Sequence, residues 1–495
     1  MIEPQHKSVD DYLRASQAAM KRGDFDAMLD AAERAVDLDD EDLRARFRLF
    51  ECLLYCGRPD RVRDELASLE RSAGNDHRLW ATIAEFHTHC AAHPAALRCY
   101  EKAVAIQSRN PEYQFALATA EIAAGRLDAA ESRLSGVIAS DPHDYNAWRN
   151  RSTLRKQTED DNHIAELEAL LASGTKTPAG EVQLCYALAK EYEDIGDDEN
   201  SFSYLERGAD KRRSLLRYDV AGDIAVIDKL LQVFDEPLMR SAGKGAEEPG
   251  PVFVLGLPRS GTTLVDRILS SHSQIDSLGE INDFAYSLMH VIGKASDKLG
   301  LIELSASMDL PGLGRRYIDG TRRYGRTAAY LIDKTPLNYL YVGLIALALP
   351  GARVVHVERK PMDSCYGMYR SLFRAGYPFT YDLDDIGRYY VAYRRLIEHW
   401  HNVAPGSMFN VGYEALVDEQ EAVSRSLIEH CGLDWEPGCL DFHRNDSAVL
   451  TASSAQVRRP VYRDALQRWR RYERQLQPLA SFLRDHGVEI DAYPA

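Results

Sequence analysis

Gly256 and Gly261 lie five residues apart, with Arg259 and Ser260 between them and Thr262 and Thr263 directly after. An apolar run rich in β-branched residues, 252–255, precedes them, and the helical pattern LVDRILSSH follows. Strand, glycine turn and helix in that order make a phosphate cradle, because backbone N–H groups and the positive end of the helix converge on an anion. A nucleoside triphosphatase loop would carry lysine where Thr262 stands and a magnesium-holding hydroxyl next. Here the charge is Arg259, inside the loop, which suits a ligand held by its 5′-phosphate side without metal.

The run Pro258-Arg-Ser-Gly-Thr-Thr263 after a buried strand resembles the loop of the sulfotransferases, which bind 3′-phosphoadenosine 5′-phosphosulfate. The segments that follow are similar in type and order to those of the tyrosylprotein sulfotransferases and their bacterial relatives. The resemblance implies transfer of a sulfuryl group to a hydroxyl acceptor, with no metal. It also implies that Arg259, Ser260, Gly261, Thr262 and Thr263 hold the 5′-phosphate. Leu278-Gly-Glu280 resembles the segment bearing the catalytic glutamate, so Glu280 becomes the base that takes the acceptor proton, with Asp283 as a second candidate. Lys334, in Tyr330-Leu-Ile-Asp-Lys-Thr-Pro336, takes the place of a lysine that neutralises charge developing in transfer.

By the same resemblance Arg359 grips the 3′-phosphate. The serine expected eight residues later is Gly367, which leaves Ser364, at the same helix start, or a Gly367 backbone group as the substitute; Asp363 caps that helix. Tyr413, in Tyr-Glu-Ala-Leu-Val417, becomes a nucleotide contact. The family's closing loop, S-x-x-Q-V-x-x-P, is matched by Ser453, Gln456, Val457 and Pro460, with Ser453 stabilising the transferring group. Arg468, before Trp469, stands where the family has a basic donor contact. Between Arg444 and Arg474 eight arginines face three acids, reversing the acidic balance of the chain.

Positioning these residues takes a strand before each chemical segment. Runs near 252, 330, 353 and 408 alternate with helices, so the sheet should be mainly parallel and doubly wound, an α/β sulfotransferase-type P-loop fold. The first half differs. Ala, Leu, Glu and Arg dominate to about residue 235, with apolar residues recurring at three and four, so helix is expected throughout. Gly23, Gly57, Ala91 and Gly125 are each 34 residues apart. A small residue at that period lets antiparallel helices turn and pack, and the segments around it resemble tetratricopeptide repeats, a stacked-helix solenoid. The repeats end irregularly between about 155 and 180. The expected organisation is a helical-repeat domain over 1–235, a linker over 236–250 and a sulfotransferase domain over 251–495.

The net charge of -16 over 495 residues argues against nucleic acid or acidic membranes as general partners. Without a signal peptide or membrane span, and with eight sparse cysteines read as reduced and buried, a cytoplasmic protein is expected. Cys52 and Cys56 have no second ligand pair at zinc-site spacing, so no metal site is expected. The repeats are expected to bind acceptor or a protein partner, to self-associate, or to serve as a structural arm. Two other readings of the whole remain: an inactive repeat scaffold, and a nucleotide-dependent kinase, against which the missing loop lysine counts. Protein tyrosine, carbohydrate and small hydroxylated metabolites all stay open as acceptors.

Overall fold

The computed structural model describes residues 7–241, 245–374, 376–445, 447–448, 456–463 and 466–492. The first part is a stack of helical hairpins: α1 (Val9–Lys21) with α2 (Phe25–Leu38), α3 (Leu43–Tyr55) with α4 (Pro59–Ser72), and α5 (His77–His89) with α6 (His93–Ile106). They continue as α7 (Pro111–Ala123) with α8 (Leu127–Ser140), then α9 (Tyr145–Leu154) and α10 (Ile164–Ala172). The series closes with α11 (Pro178–Ile195), α12 (Asp198–Ser214), α13 (Val220–Val233) and α14 (Glu236–Ser241).

The 34-residue period has a backbone cause. Gly23, Gly57, Ala91 and Gly125 take φ values of 71°, 66°, 53° and 78°, the left-handed turn that ends the first helix of each hairpin. A second series keeps the same step. Ser8, Asp42, Asp76, Asn110 and Asp144 are the N-caps of α1, α3, α5, α7 and α9, and each side chain accepts from a backbone N–H of the first turn. The period breaks after α9. There Glu191 of α11 is buried and accepts from Ser152 Oγ at 2.5 Å and from the His163 N–H at 2.6 Å, tying down the irregular connection.

The second part is built on a fully parallel sheet ordered β2-β3-β1-β4-β5, from β1 (Pro251–Leu255), β2 (Ile275–Ser277), β3 (Tyr330–Asp333), β4 (Arg353–Glu358) and β5 (Phe409–Gly412). Four of these strands match the expected runs; the three-residue β2 is too short to carry a pattern. β1 is buried at every position, as a central parallel strand covered on both faces must be. The helices that matter below are α15 (Thr262–Leu269), α16 (Asp283–Ile292), α17 (Lys298–Ser305), α18 (Leu310–Arg322), α19 (Val342–Ala348) and α20 (Pro361–Tyr369).

Where the sequence suggests a linker over 236–250, Glu236–Ser241 is helical and Ala246 is buried, its N–H donating to Ala348 O at 2.8 Å. The join is fastened, and the two halves share a core. Val182, Tyr186, Phe202, Leu205, Ile227 and Phe234 belong to the same apolar cluster as Phe253, Tyr317, Tyr339 and Trp400. Arginines of the second half also reach the ends of the hairpin helices. Arg323 donates to Gly57 O at 3.3 Å, Arg326 to Ala91 O at 3.3 Å and Arg458 to Ala123 O at 2.8 Å. Carbonyls at helix C-termini lack intrahelical partners and carry the negative end of the dipole, so a row of guanidiniums suits them. Among the described residues no helix is long and apolar enough to cross a membrane.

Candidate active site

At the end of β1 the chain turns through Gly256 and Gly261 into α15. Gly256 has φ 147°, and a Cβ there would lie 2.5 Å from Val357 O of β4. Gly261, the N-cap of α15, has φ 112°, and a Cβ would lie 2.4 Å from the Tyr413 ring. The loop can approach its neighbours this closely only without side chains. Arg259 is not glycine, yet it has φ 69°, a conformation costing roughly 1–2 kcal/mol. Arg359 helps to hold it, donating to Arg259 O at 3.2 Å. The Arg359 guanidinium in turn lies 4.7 Å from the Tyr413 ring centroid, a cation–π contact.

These groups enclose a cavity of about 110 Å³ whose walls include Arg259, Arg359, Arg370, Arg459, Arg468 and the N-terminus of α15. Burial, then the neighbouring Arg370 and Arg359 charges, pushes the Arg259 pKa down to about 10. Val457 and Tyr413 also line the cavity, together with Gly367. A Cβ at Gly367 would stand 3.5 Å from the Arg259 Cβ and 3.9 Å from Arg359 Nη1, ordinary contact distances.

Ser364 does not line this cavity. It lies with Ser260 and His356 at a separate small cavity on the other side of Arg359, so the substitute role expected of it is not supported by its position. Ser260 is buried as well and faces Gly256, so its backbone, not its hydroxyl, belongs to the cradle. Asp363 lies in the cavity wall and its carboxylate accepts from the Gln467 N–H at 3.0 Å, fixing the approach to Arg468 instead of capping α20. Ser453 and the side chain of Gln456 lie outside the described residues.

No motif in the sequence marks Tyr366, Arg370 and Glu193. Tyr366 and Arg370 follow Asp363 by about one and two turns of the α20 segment, a helical spacing that could have raised them. Glu193 comes from α11 of the repeats. It is buried, accepts from Tyr366 Oη at 2.9 Å, and pairs with Arg370 and, at 3.4 Å, with Arg468. Burial opposes the Arg370 charge, but Glu193, with Tyr366, Tyr472 and Asp194, together outweighs it and the pKa is raised.

Glu280 and Lys334 meet on the other side of α15. The Leu278 N–H donates to Ile332 O at 2.9 Å and the Lys334 N–H to Gly279 O at 2.9 Å, so the segments leaving β2 and β3 run together. Lys334 Nζ then reaches Glu280 Oε1 at 2.5 Å. The lysine side chain is 2% exposed and the glutamate 49%, so the carboxylate is the accessible member. Asp283 is buried, accepts from Tyr324 Oη at 2.8 Å, and has its pKa pushed up to about 6 by burial. Both Glu280 and Lys334 open into a second cavity, of about 1220 Å³, and Thr263 belongs to the walls of both cavities. A cavity lined by arginines and a paired acid and amine thus lie near one helix start, that of α15.

Residues 251–437 match the sulfotransferase family model. Residues 19–86 and 92–150 match the tetratricopeptide repeat model. The sulfotransferase match spans β1 to β5 and ends before the arginine-rich segment. An uncharacterized protein of Aquifex aeolicus is 32% identical over 380 residues, which is 74% of this chain and 49% of that protein, so the chain spans about half the length of that relative. A putative protein-tyrosine sulfotransferase of Caenorhabditis briggsae is 23% identical over 224 residues, 44% of this chain and 80% of its own. A crystal structure of a sulfotransferase from Mycobacterium avium is 15% identical with a TM-score of 0.30, covering 68% of this chain and 98% of its own.

Proposed function

We propose that the chain is a sulfotransferase that moves a sulfuryl group from 3′-phosphoadenosine 5′-phosphosulfate to a hydroxyl acceptor. The observation that carries this reading is that Thr263 borders two cavities, one lined by guanidiniums and the other by Glu280 and Lys334. The donor set fits a bisphosphorylated nucleotide: the α15 N-terminus and Arg259 suit the 5′ side, and Arg359 beside Gly367 suits the 3′ side. The donor supplies the activated sulfuryl group. Glu280 receives the acceptor proton as the hydroxyl oxygen bonds to sulfur, and the bond from sulfur to the bridging phosphate oxygen breaks, releasing 3′-phosphoadenosine 5′-phosphate. Lys334 stands beside that carboxylate to meet the charge that develops. The eight cysteines are free and buried, which supports a reducing, cytoplasmic setting.

Titration calorimetry with 3′-phosphoadenosine 5′-phosphate and with ATP tests the donor. Binding of the bisphosphate is expected; tight binding of ATP with none of the bisphosphate would return the loop to a kinase-like role.

A further inference from the structure

The larger cavity, about 1220 Å³, exceeds the roughly 300–1,000 Å³ of clefts that hold drug-sized ligands. One wall is the Glu280–Lys334 pair and its surroundings. The other is the inner face of the repeats, supplied by α3, α5 and the start of α6. The period of the repeats reappears there. Glu51 and Glu85 stand 34 residues apart, and Tyr55 and His89 follow each by one helical turn; all four border the cavity. Between them the surface is aliphatic and aromatic, with Met20, Phe47, Leu54, Pro94 and Leu97.

The charges divide unevenly. Each lysine or arginine at the cavity is already engaged: Lys334 with Glu280, Arg126 with Glu101 at 2.8 Å, Arg326 with Ala91 O, and Arg267 with Ser447 O at 2.8 Å. The carboxylates of Glu85 on the repeat wall and Asp276 on the opposite wall have no hydrogen bond or ion pair among the described residues. We propose that the acceptor is a polypeptide segment with basic side chains near its hydroxyl, bound between the inner helices of the repeats and the Glu280–Lys334 pair. The proposal rests on the sulfotransfer reading above. A polyhydroxylated sugar would leave the leucine, methionine and proline surface uncovered, whereas peptide side chains cover it and basic ones answer Glu85 and Asp276.

The test offers labelled donor and nine-residue peptides with a central Tyr, Ser or Thr, flanked by Lys or by Glu, beside an oligosaccharide and a small phenol. Lys-flanked peptides should be labelled preferentially. Glu85→Lys should raise their KM about tenfold and Glu85→Gln by less, with kcat and the affinity for 3′-phosphoadenosine 5′-phosphate unchanged. Equal labelling of Glu-flanked peptides, an unchanged KM in both variants, or label on the sugar or phenol alone overturns the proposal while the donor site stands. Failure of the bisphosphate to bind removes the donor reading, and this one with it.

Discussion

Glu280 and Lys334 are 54 residues apart in the chain and 2.5 Å apart in space, and their unequal exposure separates their roles. Glu280→Gln keeps the size of the side chain and removes its capacity to take a proton. Transfer to acceptor should fall by about 100-fold or more while calorimetry shows bisphosphate binding intact; label transferred at the wild-type rate would remove Glu280 as base. Gly367→Ser points the other way, since the space beside Arg359 accepts a Cβ at ordinary contact distance. The bisphosphate should bind more tightly by about two- to tenfold, one added hydrogen bond to a charged group. Asp333 illustrates the cost of a buried acid. Burial pushes its pKa up to about 7, above the unfolded value, so its contribution favours the folded state at low pH and is lost as pH rises through 7. The melting temperature of Asp333→Asn should therefore gain on wild type between about pH 5 and pH 8, as scanning calorimetry across that range would show.

Among the elements, the turn from β1 into α15 depends on glycine for space as much as for conformation. Gly261→Ala would set a methyl into the Tyr413 ring and strain a φ of 112°, displacing the ring on which Arg359 rests. Bisphosphate affinity should drop at least about tenfold with the circular dichroism of the helices unchanged; an unaltered Kd would separate the loop from donor binding. This turn was legible in the sequence because strand, glycines and helix start are consecutive. The repeats were legible for a similar reason, since Gly23, Gly57, Ala91 and Gly125 each need the left-handed turn they occupy. The capping series from Ser8 to Asp144 keeps the same period on other residues of the repeats. Helix phase decides which wall Ser364 joins: α20 turns Asp363, Tyr366 and Gly367 toward the cavity lined by Arg259, Arg370 and Arg468, and Ser364 toward the small one that Arg359 also borders.

Across the whole molecule, the two halves share an apolar cluster and several ion pairs, among them those of Glu193. Glu193 of the repeats supports Arg370 and Arg468 at the anion cavity, so Glu193→Gln leaves those cations without their counter-charge. Removing one partner of a buried pair costs about 3–5 kcal/mol, and a bound anion should restore part of it. The rise in melting temperature on adding 3′-phosphoadenosine 5′-phosphate should be larger for Glu193→Gln than for wild type; equal rises would mean that Glu193 does not bear on the anion site.

The sequence alone determined the features that neighbouring residues create together: the phosphate cradle at 256–263, the parallel strand-helix alternation, and the 34-residue hairpin. Each follows from local backbone geometry and short-range periodicity. Tertiary structure decided what distant segments do to one another. It brought Glu280 to Lys334, set Glu193 beside Arg370, placed Ser364 at a different cavity from Arg370 and Arg468, and closed the repeats over the Glu280–Lys334 pair to make the larger cavity. Those contacts depend on the packing of two halves around a common core, which no spacing along the chain records.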